Sequence, residues 1–434
     1  MMARCLLRLL WFLVFLPAVA PARADLLEYL QRTEPAYVWQ ERNREVREHG
    51  TVHDLHLVSQ VWKGITWEHQ LQVYVPNRID TPHTMLLYIM GGNADESDIQ
   101  FGLRLARATR APCAILYHLP NQPLLDGKRE DDLIAETFVQ FLATGDEEWP
   151  LLFPMTKSVV KAMDALQAFA GTAVGAPVRT FVVSGASKRG WTSWLAAAAD
   201  PRIAAVVPAV IDMLNLEKHM PHQLETWGAY SKQLEDYTRR NLPAQMETER
   251  GRRLFGMVDP YAYRERLAMP KLLIMGTNDR YWPLDALNLY WDDLRGPKYA
   301  LYLPNSGHRL EDRDRAIGSL TGFFRLVASG RPLPRLAWQH GSNGKKLQLS
   351  FTADPAPESA VMWVARSATR DFRSVHWEEK PLMGRNGAFT ADVELLPEGF
   401  AAAFGEVRYR IDGELVYLST QVYIEPPAAD MPVP

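Results

Sequence analysis

The most informative stretch for predicting the fold is residues 180–191, which read TFVVSGASKRGW. A short apolar run leads into Gly-Ala-Ser, and the residues after the serine begin a helical pattern. A serine between a buried strand and a helix is typical of a nucleophile elbow, where small neighbours let strand and helix pack closely. Gly185 and Gly190 are those small neighbours. The usual spacing is G-x-S-x-G, whereas here Arg189 precedes the second glycine.

The elbow predicts a chemical role for three consecutive residues. Ser187 is the candidate nucleophile, and the backbone N–H of Lys188 can donate to a developing oxyanion at the positive end of the helix. The Arg189 guanidinium can lie near the same charge or bind a substrate carboxylate. The alternative is that Ser187 only caps the helix while both cations face solvent.

On both sides of the elbow, short apolar runs alternate with helical segments. The runs typical of buried strands are residues 85–90, 114–117, 180–183, 204–207 and 271–275. The helical segments between them are residues 101–110, 156–170, 191–199, 283–294 and 313–328. This alternation predicts an α/β fold, a mostly parallel sheet with helices on both faces. Residues 51–63 and 66–76 alternate with period two and predict an antiparallel pair before it.

The ends of two later strands supply an acid and a base. Residues 271–279 end in Gly-Thr-Asn-Asp, and Asp279 is the candidate acid, with capping or pairing with Arg280 as the alternative. Residues 299–308 end in a loop with His308, the candidate general base. The chain order Ser, Asp, His is that of α/β-hydrolases. Asp212, after the preceding strand, is the alternative acid.

Two further features complete the predicted site. The loop after the first apolar run contains Gly91 and Gly92, whose N–H groups are the candidate second oxyanion donors, although an ordinary turn is equally consistent. Residues 214–259 interrupt the alternation and predict a helical cap insertion over the sheet edge, with a purely structural helical pair as the alternative. Trp191 and Trp227 are candidate substrate-binding residues for an aromatic or sugar group, with core packing as the alternative.

No cofactor or metal is expected from the motifs. The sequence contains no P-loop, no dinucleotide fingerprint and no cysteine-rich pattern. His219 and His222 are separated by Met-Pro, which predicts that the two do not share one helix face as zinc ligands do.

The chain divides into three predicted parts. Residues 1–24 contain an apolar run after two arginines and end in a small-x-small site, which predicts a cleaved signal peptide. Residues 25–330 form the predicted hydrolase domain. After the Pro-rich residues 330–334, turn-punctuated strands predict a small β-sandwich at residues 331–434, with a protein or glycan as its possible partner.

Composition narrows the class of protein. The 434 residues have a formal net charge of −3 and are 47% hydrophobic, which indicates a globular protein and argues against a nucleic-acid partner. Removal of the signal takes away Cys5 and leaves Cys113, between Pro112 and an apolar run, as a predicted core residue. No later stretch is long enough to span a membrane. We therefore expect a periplasmic or secreted protein.

At these residues the sequence resembles the PhoPQ-activated pathogenicity-related family of exported bacterial proteins. The resemblance includes residues 26–29, 37–39, 185–192, 200–212 and 276–279. It implies an α/β-hydrolase fold, with no securely assigned substrate. The elbow is also similar to that of glucuronoyl esterases, which have an arginine soon after the serine, although here Lys188 comes first and Arg189 second.

The sequence thus predicts an exported serine hydrolase that uses Ser187, His308 and Asp279. An esterase acting on an unknown ester is the first expectation, with a small molecule or a peptide as substrate. A peptidase is a further alternative. A non-catalytic hydrolase-fold protein with a binding or signalling role is the alternative from a different class.

Overall fold

The structure is a computed structural model that describes residues 26–428. The predicted signal peptide, residues 1–24 with Cys5, lies outside the described residues. The described chain begins with helix α1, Leu26–Gln31, and an antiparallel meander of β1, Val38–Arg47, β2, Gly50–Trp62, and β3, Ile65–Pro76. The second and third strands correspond to the predicted pair. Strand β1 is almost wholly exposed, so its sequence lacks the apolar alternation that marks a strand.

Six parallel strands form the centre of the main sheet. They are β4, Thr84–Ile89, β5, Cys113–Leu116, β6, Thr180–Ala186, β7, Ile203–Ala209, β8, Lys271–Gly276, and β9, Lys298–Leu303. Their spatial order is β5-β4-β6-β7-β8-β9, and β3 joins this sheet antiparallel to β5. Every predicted apolar run is a buried strand, because strands covered on both faces need apolar side chains on both. The predicted fold class is confirmed.

The α-helices after α1 in the described chain lie on the two faces of this sheet or in the insertion after β7. They are α2, Glu96–Thr109, α3, Glu130–Thr144, α4, Leu152–Ala173, α5, Lys188–Ala199, α6, Leu216–Trp227, α7, Glu235–Thr238, α8, Leu242–Gln245, α9, Glu249–Val258, and α10, Arg313–Ala328. Val182 of β6 packs in one hydrophobic cluster with residues of α2 and α10. Its neighbour Val183 packs in a second cluster with residues of α3, α4 and α5. Adjacent side chains of one strand therefore serve two separate cores.

The predicted helix at residues 283–294 is wrong. This segment forms a short 3-10 helix, Ala286–Leu289, and then consecutive turns. Its buried Leu287, Tyr290, Trp291 and Leu294 do recur at helical spacing. Most of the turn hydrogen bonds, however, join residues three apart, as from Leu294 N–H to the Trp291 carbonyl at 3.2 Å. A series of such turns buries the same positions as an α-helix, so the pattern alone does not separate them.

The C-terminal strands form two sheets. A separate sheet contains β10, Arg335–Ser342, β11, Lys346–Asp354, and β14, Ala388–Glu394. The others are β12, Ser359–Ser367, β13, Glu378–Leu382, β15, Phe400–Ile411, β16, Glu414–Ser419, and β17, Tyr423–Glu425. These five extend the main sheet, because β16 pairs with β9 where Ser419 lies opposite Ala300. The two sheets thus form a small sandwich that shares one layer with the hydrolase region, and a domain boundary at residue 331 stays a prediction.

Two expectations about single features can be compared with the described chain. Cys113 lies fully buried in β5, as expected, and burial raises the pKa of its thiol to about 12. Among the helices of residues 26–428, none combines the length and apolar character needed to cross a bilayer.

Candidate active site

Ser187 lies between the end of β6 and the start of α5, in a backbone conformation that few residues adopt. Its φ is 56° and its ψ is −128°, and its side chain makes no capping hydrogen bond to the helix. A non-glycine residue held in such a conformation costs about 1–3 kcal/mol, and such residues cluster at functional sites. The local geometry is therefore that of a nucleophile elbow rather than of an ordinary N-cap.

The two elbow glycines allow the strand and the helix to approach each other. A Cβ added at Gly185 would lie 2.8 Å from the backbone carbon of Arg189. A Cβ added at Gly190 would lie 2.8 Å from the Gly185 carbonyl oxygen and 2.8 Å from Cγ2 of Ile211. The shift of the second glycine by one residue is thus compatible with the elbow, because Gly190 lies where α5 crosses β6.

Asp279 and His308 are paired. His308 Nδ1 lies 2.8 Å from Asp279 Oδ2, and the aspartate side chain is 7% exposed. Because an ionised carboxylate only accepts hydrogen bonds, it holds the proton on Nδ1 and leaves Nε2 free to act as a base. The two loops meet at Gly276, where any Cβ would collide with the Ser306 carbonyl. The Asn278 N–H donates to that same carbonyl at 2.9 Å.

Tyr281 connects this pair to the serine. Its ring stacks on the His308 imidazole with centroids 4.1 Å apart, and its N–H donates to Asp279 Oδ1 at 2.9 Å. Burial and the negative charges of nearby acids raise the pKa of Tyr281 to about 12, so its hydroxyl is neutral at physiological pH. Tyr281 and Ser187 line the same cavity. Tyr281 thus contacts the predicted base and acid and shares a cavity with the predicted nucleophile, and the roles of these residues stay predictions.

The alternative acid, Asp212, has a different partner. The Tyr290 hydroxyl donates to its Oδ1 at 2.6 Å, and the side chain is buried. Burial, together with the charges of Asp279 and Asp285, raises the pKa of Asp212 to about 7 despite that hydrogen bond. It shares a small cavity with Asp279 but makes no hydrogen bond to His308 within the described chain.

The two cations after the serine are ion-paired inside the protein. Arg189 Nη1 and Nη2 each lie 2.7 Å from a Glu130 oxygen, and Arg189 Nε donates to the Leu119 carbonyl at 2.6 Å. Lys188 Nζ lies 2.8 Å from Glu130 and 3.1 Å from Asp131. Burial favours the neutral form of Glu130, but the two cations outweigh it and hold its pKa well below the ordinary value.

These ion pairs change the expectation for Arg189. Its guanidinium is already occupied by a carboxylate and a carbonyl, so substrate binding by Arg189 stays a prediction without a supporting contact. Glu130 and Asp131 were not identified from the sequence. Glu130 lies 59 residues before Arg189, and no local pattern marks it as the partner of that residue.

The glycine loop after β4 lies beside the elbow. A Cβ added at Gly91 would collide with the Arg189 guanidinium, whereas one at Gly92 would meet nothing within 4 Å. The Gly92 carbonyl accepts from the His118 N–H at 3.1 Å. The loop therefore lies against the Arg189 side chain, and the role of its amides as oxyanion donors stays a prediction.

A largely apolar cavity opens beside Ser187. The hydrolase region contributes one wall, with Phe138, Trp191 and Ile211. The cap helices contribute the opposite wall, with Leu234, Leu242 and Phe255 among its residues. Lys188, Asp131 and Tyr237 provide polar groups, and the Tyr237 hydroxyl donates to Asp131 Oδ1 at 3.0 Å. The predicted insertion at residues 214–259 is thus helical and covers the site.

The two predicted substrate-binding tryptophans lie in different places. Trp191 lines the cavity, and its Nε1 donates to the Val258 carbonyl at 2.6 Å. Trp227 instead lies in a surface groove, with the Arg373 guanidinium carbon 4.0 Å from its ring centroid. Trp227 therefore does not share the Ser187 cavity.

The two cap histidines have separate partners. His222 Nε2 lies 2.7 Å from Asp285 Oδ1, whereas His219 is buried against the Trp282 ring and Gln223. Burial lowers the pKa of His219 to about 3. Within residues 26–428, no group of three or more histidine, cysteine or acidic side chains could hold a metal ion.

Comparisons with known proteins agree with this architecture. The sequence profile of the PhoPQ-activated pathogenicity-related protein family matches residues 26–373. The autocrine proliferation repressor protein A of Dictyostelium discoideum is 34% identical over 376 residues, which cover 80% of this chain and 76% of that protein.

Solved structures of esterases resemble the fold. Acetyl xylan esterase 1 from Thermoanaerobacterium sp. JW/SL YS485 aligns with a TM-score of 0.50 and 16% identity, over 71% of this chain and 95% of the esterase. An acetyl xylan esterase from Paenibacillus sp. R4 aligns with a TM-score of 0.48 and 12% identity, over 67% and 91% of the two chains. At this identity the first likeness establishes the α/β-hydrolase fold and not the substrate.

Proposed function

Because this chain belongs to the PhoPQ-activated pathogenicity-related protein family and has an α/β-hydrolase fold, we propose that it is an exported serine esterase. The observation that carries the proposal is the hydrogen-bonded pair of Asp279 and His308, 2.8 Å apart. It is joined by the elbow geometry of Ser187, which shares a cavity with Tyr281, the residue that stacks on His308. A fixed imidazole beside such a serine is what nucleophilic acyl transfer requires.

In the proposed reaction, Ser187 Oγ attacks the ester carbonyl carbon and its proton passes to Nε2 of His308. Asp279 stabilises the imidazolium that forms, and it keeps the ring oriented. The Lys188 N–H and a Gly91 or Gly92 N–H donate to the oxyanion. The C–O bond then breaks, the alcohol takes the proton from His308, and the acyl group remains on Ser187.

Water completes the cycle. It attacks the acyl carbonyl, gives a proton to His308 Nε2 and releases the acid, and Ser187 recovers its proton. The ion pairs of Lys188 and Arg189 with Glu130 attach the first turn of α5 to the first residue of α3. In this account they position the Lys188 N–H instead of binding the substrate.

Hydrolysis of an aryl ester panel tests the proposal. Ser187→Ala should lower kcat at least about 10³-fold, because the nucleophile is lost. Ser193→Ala is a matched control, since it removes a buried hydroxyl from the same helix without touching the cavity. Equal activity of the wild type and Ser187→Ala would contradict the proposal.

A second candidate function is a secreted growth regulator without catalysis. It is favoured by the similarity to a protein whose name describes the autocrine repression of proliferation. If this candidate is right, the wild-type protein and Ser187→Ala, each added to growing cells, should slow proliferation equally. A response that is lost in Ser187→Ala would instead tie any such role to hydrolysis.

Export is proposed from residues 1–24 alone. Fractionation of cells that produce the full chain, followed by N-terminal sequencing, should recover a mature protein that starts at residue 25. A chain that stays in the cytoplasm with residues 1–24 intact would contradict this part of the proposal.

A further inference from the structure

The cavity beside Ser187 is built for an uncharged ligand. Two cations, Lys188 and Arg189, meet two anions, Glu130 and Asp131, so the charges on this side cancel. The Tyr237 hydroxyl also donates to Asp131 and satisfies one of its oxygens. A charged substrate group would have to break one of these pairs, at a cost that an apolar group avoids.

The apolar walls are too extensive for an acetyl group. Aromatic and aliphatic side chains from both the sheet side and the cap line the cavity. Ligand sites with such a lining bind mainly through apolar contacts. Apolar surface that stays unfilled contributes nothing to binding, whereas each methylene that enters it contributes favourably.

The position of the base indicates which half of the ester enters. His308 must protonate the leaving oxygen, so the alcohol lies on the imidazole side of Ser187. Ser187 and Tyr281 line the cavity, whereas His308 is not among the described residues that line it and instead stacks on Tyr281. We propose that the cavity binds the acyl group of an ester with a medium-length alkyl chain. This inference rests on the proposed esterase function.

A series of p-nitrophenyl esters with acyl chains of two, four, six and eight carbons tests the inference. Each added methylene that is buried should raise kcat/KM about fourfold, because burial of one methylene contributes about 0.8 kcal/mol. We expect the hexanoate or octanoate ester to exceed the acetate ester by at least about tenfold. A flat series or a preference for acetate would overturn the inference.

A cavity-filling variant tests whether the acyl chain lies in this cavity. Met246→Trp places a larger side chain on the cap wall, and should lower the ratio of octanoate to acetate kcat/KM at least about tenfold. Met383→Trp is a matched control, because Met383 is 96% exposed on the C-terminal strands. An unchanged ratio in Met246→Trp, with the protein folded as judged by circular dichroism, would contradict the proposed position of the chain.

Binding without turnover separates this inference from the esterase proposal. Trp191 and Trp282 line the cavity, so the uncharged ester methyl octanoate should change the tryptophan fluorescence of Ser187→Ala in a saturable way. Met246→Trp in the same background should weaken that binding. If no ester is hydrolysed but methyl octanoate binds, the esterase proposal fails and the cavity assignment stands. If esters are hydrolysed without chain preference and methyl octanoate does not bind, only the cavity assignment fails.

Discussion

Two carboxyl groups near the candidate base have different environments. Asp279 is hydrogen-bonded to His308, whereas Asp212 accepts the hydroxyl of Tyr290. Asp279→Asn should therefore lower kcat about 10³- to 10⁴-fold, since an amide does not hold the same imidazole tautomer or stabilise the imidazolium. Asp212→Asn is the matched control and should leave kcat within threefold. The opposite ranking in an ester assay would make Asp212 the acid.

Asp212 should also make stability depend on pH. Its pKa is about 7 in the folded state and ordinarily 3.8, so between these values the folded protein keeps a proton that the unfolded chain has lost. The contribution of Asp212 to stability therefore falls as the pH rises through this window, by at most about 4 kcal/mol. Asp212→Asn removes the effect. We expect it to raise Tm relative to wild type more at pH 8 than at pH 5, and an equal shift would contradict this assignment.

The candidate site residues that could be predicted from the sequence are those that directly follow a buried strand. Ser187, Asp279 and His308 each follow a buried strand, and parallel strands bring such ends to one edge. Glu130 was missed because nothing near it in the chain marks its ion pair with Arg189. The groove position of Trp227 could not be predicted either, since an aromatic residue in a cap has no periodic signal that shows which way it faces.

The contact between α5 and β6 depends on Gly190. A methyl group there would press on the Gly185 carbonyl and on Ile211, so Gly190→Ala should destabilise the protein by about 1–3 kcal/mol. Gly171→Ala is the matched control in α4, where a Cβ would meet nothing within 4 Å. It should raise stability by about 0.5–1 kcal/mol, because alanine favours a helix. Chemical denaturation of both variants measures the difference, and two changes of equal sign would contradict it.

Among the elements, buried strands were predictable and some helices were not. The strands stand out because continuous apolar runs of this length are typical of parallel sheets. Helix α3 was not identified from the sequence, although its first turn is acidic and six of its residues are buried. The turns at residues 286–294 bury side chains at the same spacing as an α-helix does, so the sequence pattern predicted a helix there.

The loop between β12 and β13 holds the loops of the acid and the base. The Asn305 side chain donates to the Trp377 carbonyl at 3.0 Å and accepts from the Trp377 N–H at 2.8 Å. Asn278 Nδ2 donates to the Val375 carbonyl at 2.8 Å. This loop contact and the sheet shared between β9 and β16 join the C-terminal residues to the hydrolase region. The strand content was predictable from the sequence, but pairing across 119 residues was not.

Loss of the Asn305 contacts should loosen the histidine loop. Asn305→Gly removes the side chain and still permits its positive φ of 56°. We expect kcat to fall about 10- to 100-fold with KM within threefold, because a misplaced imidazole affects the chemical step more than binding. Asn386→Gly is the matched control, at an exposed turn with φ of 52°. A change in KM alone would argue against a positioning role for the loop between β12 and β13.

The whole chain belongs to the PhoPQ-activated pathogenicity-related protein family. Its reaction, ester hydrolysis through Ser187, is our proposal. The most direct measurement is the intact mass of the protein after exposure to an alkyl fluorophosphonate, with the adduct mapped by peptide analysis. If Ser187 is the nucleophile and His308 the base, we expect a single adduct, located on Ser187, that forms at least about 10²-fold more slowly in His308→Ala. An unlabelled wild type, or an adduct that persists unchanged in Ser187→Ala, would contradict it.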